Sequence, residues 1–300
     1  MRRISKQEIV QSLNDNHYSA TTISAYQSWI VRFLKYHNKT SLLFTTQDIQ
    51  KFLTSLTVKQ VKASTYNQAL NAIIFLYDKI LNIPINNALS SALRLKRNNH
   101  LPKTLSKKQI SAIAYHLKGS YQLIVYLLYG CGLRSNEVLN LKLGDIDLTN
   151  NQLTVSSHKH ARVLSIPLRI INEIHNQISF VTEQYNKDTK SKFFQKNNTD
   201  ALYLFPMKQL CNSMEGQLTR FPIISNTLNY NIIAAAKKVN IDFKVTAQTF
   251  RYSYALHLLQ NQVDIKTLQK LLGHKHASST IIYSRMAQQV SQNKSLSPLD

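Results

Sequence analysis

At 300 residues the chain exceeds one small core and suits two domains, which commonly run to roughly 100 to 200 residues each. Its 43% hydrophobic and 9% aromatic content, with only 6 Gly and 6 Pro, excludes a low-complexity or disordered polymer. Lys and Arg number 37 against 15 Asp and Glu, a formal net charge of +22 spread over the first hundred residues and the remainder alike. The expected partner is therefore a polyanion, with nucleic acid ahead of an anionic membrane.

From Thr21 to His37, apolar residues at Ile23, Tyr26, Ile30, Phe33 and Leu34 keep the three-to-four spacing of a helix with one buried face. A second helix is expected near Thr45, with Asp48 three residues on as an approximate capping box before Ile49, Phe52, Leu53 and Leu56. A third begins near Ser64 and carries Tyr66, Leu70, Ile73, Ile74, Tyr77 and Leu81 inward. Past Pro84 the periodicity weakens. The stretch from Ser90 to Thr104 holds Arg94, Lys96, Arg97 and Lys103 with Pro102, and reads as an exposed basic linker that is either solvated or tracks a DNA backbone.

Beyond the linker, a helix capped at Ser106 leads to the apolar segment Tyr121 to Tyr129, the turn Gly130-Cys131-Gly132, and a short helix ending at Leu141. The period then changes to two. Asp145 to Asp147, Gln152 to Ser156 and Arg162 to Ile166 read as three short strands of an antiparallel sheet. Residues 185 to 222 are polar and irregular before the apolar patch Leu202 to Pro206, helical patterning resumes from Asn226 to Val239, and Phe250 to Leu272 reads as helix, with Asp264 a plausible N-cap and Gly273 a plausible C-terminal stop. The fold class is mainly α, with a helical N-terminal domain followed by an α+β domain holding a small antiparallel sheet.

No run of about 18 apolar residues occurs, and Met1-Arg2-Arg3-Ile4-Ser5-Lys6 is not followed by an apolar signal region, so a cytoplasmic protein with no membrane partner is expected. Cys131 and Cys211 form no CxxC pair and read as reduced thiols. The histidines His158, His160, His274 and His276 lack the carboxylate or cysteine that would complete a metal set, and no cofactor is implied.

The segment Leu128 to Leu141 places Arg134 after a Gly-rich turn at a helix start, with Glu137 three residues on. A helix N-terminus with an arginine suits a phosphate, although alone it could equally be a surface salt bridge. The run Gly132-Leu133-Arg134 followed by an acid resembles the first arginine box of tyrosine recombinases. That resemblance demands a hairpin lysine, a second arginine, a His or Trp and a C-terminal tyrosine. Lys159 stands in the hairpin eight residues before Pro167, and Arg251 lies in Gln248-Thr249-Phe250-Arg251, which resembles the His-x-x-Arg box. Leu271-Leu272-Gly273-His274 and Ser279-Thr280-Ile281-Ile282-Tyr283 resemble the family's ending. The match covers residues 105 to 286 well. Extra residues between the sheet and the second arginine box make the chain look closer to integron integrases than to Xer recombinases.

The resemblance implies four parts: a helical core-binding (SAM-like) domain over residues 1–88, the linker 89–104, a catalytic domain 105–290 and a tail 291–300; residues 287 to 300 are polar enough to be mobile. It further implies that Arg134 and Arg251 clamp a scissile phosphate, permanently charged guanidiniums suiting the charge that in-line attack concentrates on its oxygens. Tyr283 is then the nucleophile of a 3′-phosphotyrosyl intermediate, Lys159 the general acid and Glu137 a supporting group. His274 would hydrogen-bond the phosphate or steady Tyr283. Arg162 holds a flanking phosphate or a structural salt bridge. The partners implied are double-stranded recombination sites, bound by a tetramer spanning two duplexes, with neither metal nor ATP required.

Gln248 departs from the family's usual His and cannot exchange protons near neutral pH, and Tyr252 replaces the histidine common after the second arginine, so a weakly active or inactive DNA-binding relative is the competing reading. A metal-dependent nuclease would need clustered acids, whereas the 15 present are scattered. The catalytic reading requires that Tyr283 lie within reach of both arginines and not be locked in a core.

Overall fold

The structure is a computed structural model that describes residues 4–37, 44–83, 85–86, 91–96, 101–156 and 161–292. The chain divides into two units, Met1–His100 and Leu101–Asp300.

The first unit is built from α1 (Lys6–Asp15), α2 (Ala20–His37), α3 (Thr46–Val58) and α4 (Ala63–Phe75), the last running into a single wide turn at Leu76–Ile80. The expected capping box is present at α3. Thr45 N–H donates to the Asp48 carboxylate at 2.7 Å and the Thr45 hydroxyl accepts from Asp48 N–H at 3.4 Å, a motif contributing about 1 kcal/mol. The apolar stripes of the helices meet around Phe33, whose ring packs against those of Phe44, Phe52 and Tyr77 at 5.1 to 6.4 Å. Part of the basic stretch is not a free linker. The Asn67 side chain donates to Leu95 O at 2.8 Å and accepts from Leu95 N–H at 3.1 Å, while Arg94 donates to Asn71 at 2.8 Å.

In the second unit, α5 (Lys107–Tyr115) opens with a capping box between Ser106 and Gln109. The next helix, α6 (Ser120–Gly130), buries Leu123, Ile124, Val125, Leu127 and Leu128, and after one turn α7 (Ser135–Leu139) follows. The strands β1 (Ile146–Asp147), β2 (Gln152–Val155) and β3 (Arg162–Ser165) form an antiparallel sheet in the order β1-β2-β3, with Leu153 opposite Leu164 and Val155 opposite Arg162. The period of two puts Leu164 inward and Val163 and Ser165 outward, so Arg162 shares the inner face of β3.

A long helix, α8 (Ile171–Asp188), was not among the expected elements. Its buried stripe is sparse, Ile174, Gln177 and Val181, and includes a glutamine whose amide donates to Leu204 O at 2.8 Å. An extension follows, carrying β4 (Cys211–Asn212) paired with β5 (Leu218–Thr219). Arg220 fastens it to the end of α8, donating to both Asp188 oxygens at 2.5 and 2.9 Å, to Met207 O at 3.0 Å and to Lys208 O.

The last four helices are α9 (Ser225–Lys238), α10 (Ala247–Gln260), α11 (Ile265–Leu272) and α12 (Ser278–Gln292). The helical stretch expected from Phe250 to Leu272 is two helices, the second starting at the expected cap Asp264. The backbone turns at Gln262, φ 64°, and Asp264 caps the new helix by accepting from Lys266 and Thr267 N–H at 2.9 and 3.0 Å. Likewise α12 continues to Gln292, past the tail boundary expected at residue 291, and residues 293–300 lie outside the described ones. Helix α10 packs against both α6 and α12 and buries Phe250, Arg251, Ser253, Ala255 and Leu256 on several sides.

Candidate active site

The turn before α7 depends on Gly132. Its φ of +62° is left-handed, and a Cβ there would stand 2.4 Å from the Tyr254 ring, so α10 packs where a side chain would otherwise project. Arg134 follows as the residue before α7, with its side chain 40% exposed. The helix is only five residues long and its start is already occupied. Arg134 N–H donates to Glu137 Oε2 at 2.7 Å, so the phosphate-holding capacity expected there rests on the guanidinium and not on free backbone groups. That guanidinium donates through Nη1 to Glu137 Oε1 at 2.7 Å and through Nη2 to Gly273 O at 3.2 Å.

Arg162 is not on the hairpin surface, where it could reach a flanking phosphate. Its side chain is 13% exposed and every nitrogen is engaged: Nη1 and Nη2 with the two Glu137 oxygens at 3.0 and 2.7 Å, and Nε with Leu271 O at 3.0 Å. Of the two alternatives for this residue, the ion pair is the one formed. Gly273 makes room for it, since its φ is +61° and a Cβ would stand 2.7 Å from Arg162 Nη1.

Arg251 is 1% exposed on α10. It donates through Nη1 to Gly132 O at 2.5 Å, through Nη2 to Leu272 O at 2.6 Å, and lies 3.2 Å from His274 Nε2. Glu137 Oε2 is 3.7 Å away. Beyond its bonds to Gly132 O, Leu272 O and His274, the five-N–H guanidinium of Arg251 also reaches the Tyr283 hydroxyl.

Three guanidiniums thus surround one carboxylate. Burial alone would raise the Glu137 pKa, but the hydrogen bonds and charge of Arg162 and Arg134 outweigh it and hold the group at about 2. For Arg251, burial and then the neighbouring Arg134 bring the pKa down to about 10, still cationic at neutral pH. His274 is pushed down to about 4 by burial and by the charges of Arg251, Arg134 and Arg162.

Tyr283 stands on α12 with its ring stacked on that of His274, centroids 6.0 Å apart and planes at 14°, and tilted against Tyr252 at 5.9 Å. It lies within hydrogen-bonding reach of Arg251. It is also 2% exposed, packed with Met286 against Ala255, Leu256, Leu268 and Leu272, contrary to the requirement that the nucleophile not sit in a core. The cause is local, because Tyr283 and Met286 share the stripe of α12 that faces α10 and α11. Burial raises the phenol pKa, opposed by the charge and hydrogen bond of Arg251.

The structure therefore brings Arg134, Glu137, Arg162, Arg251, His274 and Tyr283 together. Gln248 is exposed on the first turn of α10, three residues before Arg251, and makes no hydrogen bond among the described residues. Lys159 and Arg97 lie outside the described residues. Arg94 and Lys96 belong to the first unit, and Lys103 stands 5.1 Å over the Phe243 ring. The one site group not foreseen is Thr280, 1% exposed, whose hydroxyl is 2.9 Å from His274 Nδ1. Among the described residues no group of three His, Cys, Asp or Glu side chains could hold a metal, and no helix is long and apolar enough to cross a membrane.

A convergence of arginines, histidine and tyrosine on an α+β unit behind a helical one defines the tyrosine recombinase class. Comparison with known proteins agrees. The phage integrase family model matches residues 103–289, and the family's N-terminal SAM-like domain matches residues 7–87. An integrase/recombinase of Escherichia coli is 28% identical over 291 residues, covering 90% of this chain and 86% of that protein. Tyrosine recombinase XerA of Pyrococcus furiosus is 30% identical over 281 residues, covering 89% and 84%. Among solved structures, XerH recombinase bound to a palindromic difH substrate has a TM-score of 0.68 at 18% identity, covering 98% of this chain and 85% of that one. A lambda integrase dimer bound to a core site has a TM-score of 0.64 at 18% identity, covering 92% and 93%. The chain belongs to the phage integrase family and is a tyrosine-type recombinase, a DNA strand transferase.

Proposed function

We propose that the protein exchanges strands between two duplex recombination sites, in the cytoplasm, as a tetramer, with Tyr283 as nucleophile. The observation that carries this reading is the placing of Arg134, Arg251, His274 and Tyr283 around Glu137 within one unit. Arg134 offers its exposed face, and Arg251 the N–H donation it now directs at Tyr283, to the non-bridging oxygens of the scissile phosphate. Tyr283 Oη attacks phosphorus as its phenol proton passes to solvent, the bond to the 5′-oxygen breaks, and Lys159 protonates that leaving oxygen. The 3′-phosphotyrosyl ester keeps the phosphoester energy, so a 5′-hydroxyl of the partner duplex reverses the step without ATP or metal. Because the Tyr283 ring is enclosed, α12 must lift at the turn following His274, giving up apolar contacts worth about 1.5 to 3 kcal/mol.

An integron-integrase-like subgroup is supported by the extension between α8 and α9, anchored by Asp188 and Arg220. The reading is tested with nicked duplexes recovered by binding to the full chain. A covalent protein–DNA adduct is expected with the native chain and none with Tyr283→Phe; absence of any adduct on duplexes that bind tightly overturns it. A second reading, a weakly active or inactive DNA-binding relative, is favoured by Gln248, an amide that cannot exchange protons, one turn before Arg251 on α10.

A further inference from the structure

His274 occupies the turn between α11 and α12 and has a neighbour at each ring nitrogen: Arg251 Nη2 at 3.2 Å from Nε2, and Thr280 Oγ1 at 2.9 Å from Nδ1. A guanidinium can only donate, so Nε2 must present its lone pair, and the single proton of a neutral imidazole must then reside on Nδ1, where the Thr280 oxygen accepts it. The reverse tautomer would set an Nε2–H against an arginine N–H. Double protonation meets the same opposition, with Arg251 on α10, Arg134 beside α7 and Arg162 on β3 facing the ring against Glu137 alone, and the neighbouring Tyr283 uncharged. Thr280 is 1% exposed in the first turn of α12, one turn before Tyr283, so its hydroxyl does not exchange its partner for bulk water.

We propose that Thr280 is a positioning residue of the strand-transfer reaction, accepting the Nδ1–H that Arg251 imposes on His274 and so holding the imidazole in the site as a hydrogen-bond acceptor for Arg251. This rests on the function proposed above. The imidazole orients one arm of the guanidinium, and its ring plane sets the plane of the stacked Tyr283 phenol. Thr280 joins these functions because it holds the ring through α12, the helix that carries the nucleophile. Any movement of Tyr283 away from Arg251 therefore pulls on the His274 contact in the same motion.

The test uses the full chain with 15N-labelled histidine, read by two-bond proton–nitrogen correlation of the imidazoles, beside adduct formation on the nicked duplex. Native protein and Thr280→Ser are expected to show the Nδ1–H tautomer for His274 and similar adduct rates. Thr280→Val is expected to lose the hydrogen-bonded Nδ1–H signal of His274, its acceptor gone, and to form adduct at least tenfold more slowly, with Thr280→Ala behaving alike should the valine variant fold poorly. An Nε2–H tautomer in the native chain overturns the proposal. So does a valine or alanine variant that changes only one of the two readouts. Failure of the native chain to form adduct, with the Nδ1–H still bonded to Thr280, falls on the proposed reaction and removes the positioning role with it; the tautomer assignment alone then survives.

Discussion

Arg162 and Glu137 are joined by two parallel hydrogen bonds of 3.0 and 2.7 Å across the inner face of the sheet. This pairing leaves Glu137 3.7 Å from Arg251, close enough to offset its charge without capturing its N–H groups. Replacing Arg162 by Lys keeps one charge and loses the fork. Adduct formation is expected to fall about tenfold or more, although a lysine on an exposed hairpin would have been tolerated. Unaltered rates in Arg162→Lys would show that the fork has no part in arranging the site.

Arg134 and Arg251 should separate catalysis from stability. Arg134→Ala removes a partly exposed group and is expected to lower the cleavage rate by about 100- to 1,000-fold with a smaller change in unfolding free energy than Arg251→Ala. Arg251→Ala should lose as much activity and also strand the buried carbonyls of Gly132 and Leu272, at about 1 to 3 kcal/mol each. Urea unfolding of both variants checks the difference.

Acid stability should decline in two windows. His274 titrates near its usual 6.5 when unfolded and at about 4 when folded, so the unfolded chain binds the extra proton and stability drops as pH falls from 6.5 to 4. Glu137, at about 2 against 4.5, adds stability above pH 4.5 that is lost as pH falls toward 2. Stability measured across pH in His274→Gln should lack the upper slope. In Glu137→Gln the lower slope should vanish, and the level should drop at neutral pH because a carboxylate among three arginines is gone.

Gln248→His tests whether the missing imidazole limits the reaction. An increase in adduct rate of about tenfold or more, with DNA affinity unchanged, is the outcome if the native chain is weakly active for that reason. Equal rates would remove the inactive-relative reading.

Arg220→Met should free the extension by breaking a mostly buried pair with Asp188, at about 3 kcal/mol. Limited proteolysis within residues 189–222 is expected to accelerate while the far-ultraviolet helical signal persists. Cleavage at the native rate would mean the pair is dispensable.

Local chemistry was legible in the chain, and long-range pairing was not. Caps at Thr45, Ser106 and Asp264 are readable because acceptor and donor lie within three residues. Helix α8 escaped notice because its buried stripe is thin and contains Gln177, satisfied by a carbonyl 27 positions away. The Asp264 cap marks the start of α11, but the end of α10 before it carries no Gly or Pro, the left-handed turn falling on Gln262. At the site, the motifs located Arg134, Arg251, His274 and Tyr283, but the partner of Arg162 is 25 positions distant in sequence. A signal was nonetheless present, since Arg162, Leu164 and Ile166 alternate along one strand and two of them are plainly core residues. The enclosure of Tyr283 depends on how α10, α11 and α12 meet, and only the folded chain reveals that.

The two cysteines differ in a way that matters at the bench. Cys131 is 2% exposed beside the Gly132 turn, and burial pushes its thiol up to about 12, so at neutral pH maleimides and similar electrophiles should pass it by. Cys211, half-buried on β4, offers the other sulfur. A single fluorophore can thus be attached to the extension of the unmutated enzyme, giving an optical reporter remote from the chemistry and ready for watching assembly on DNA in real time.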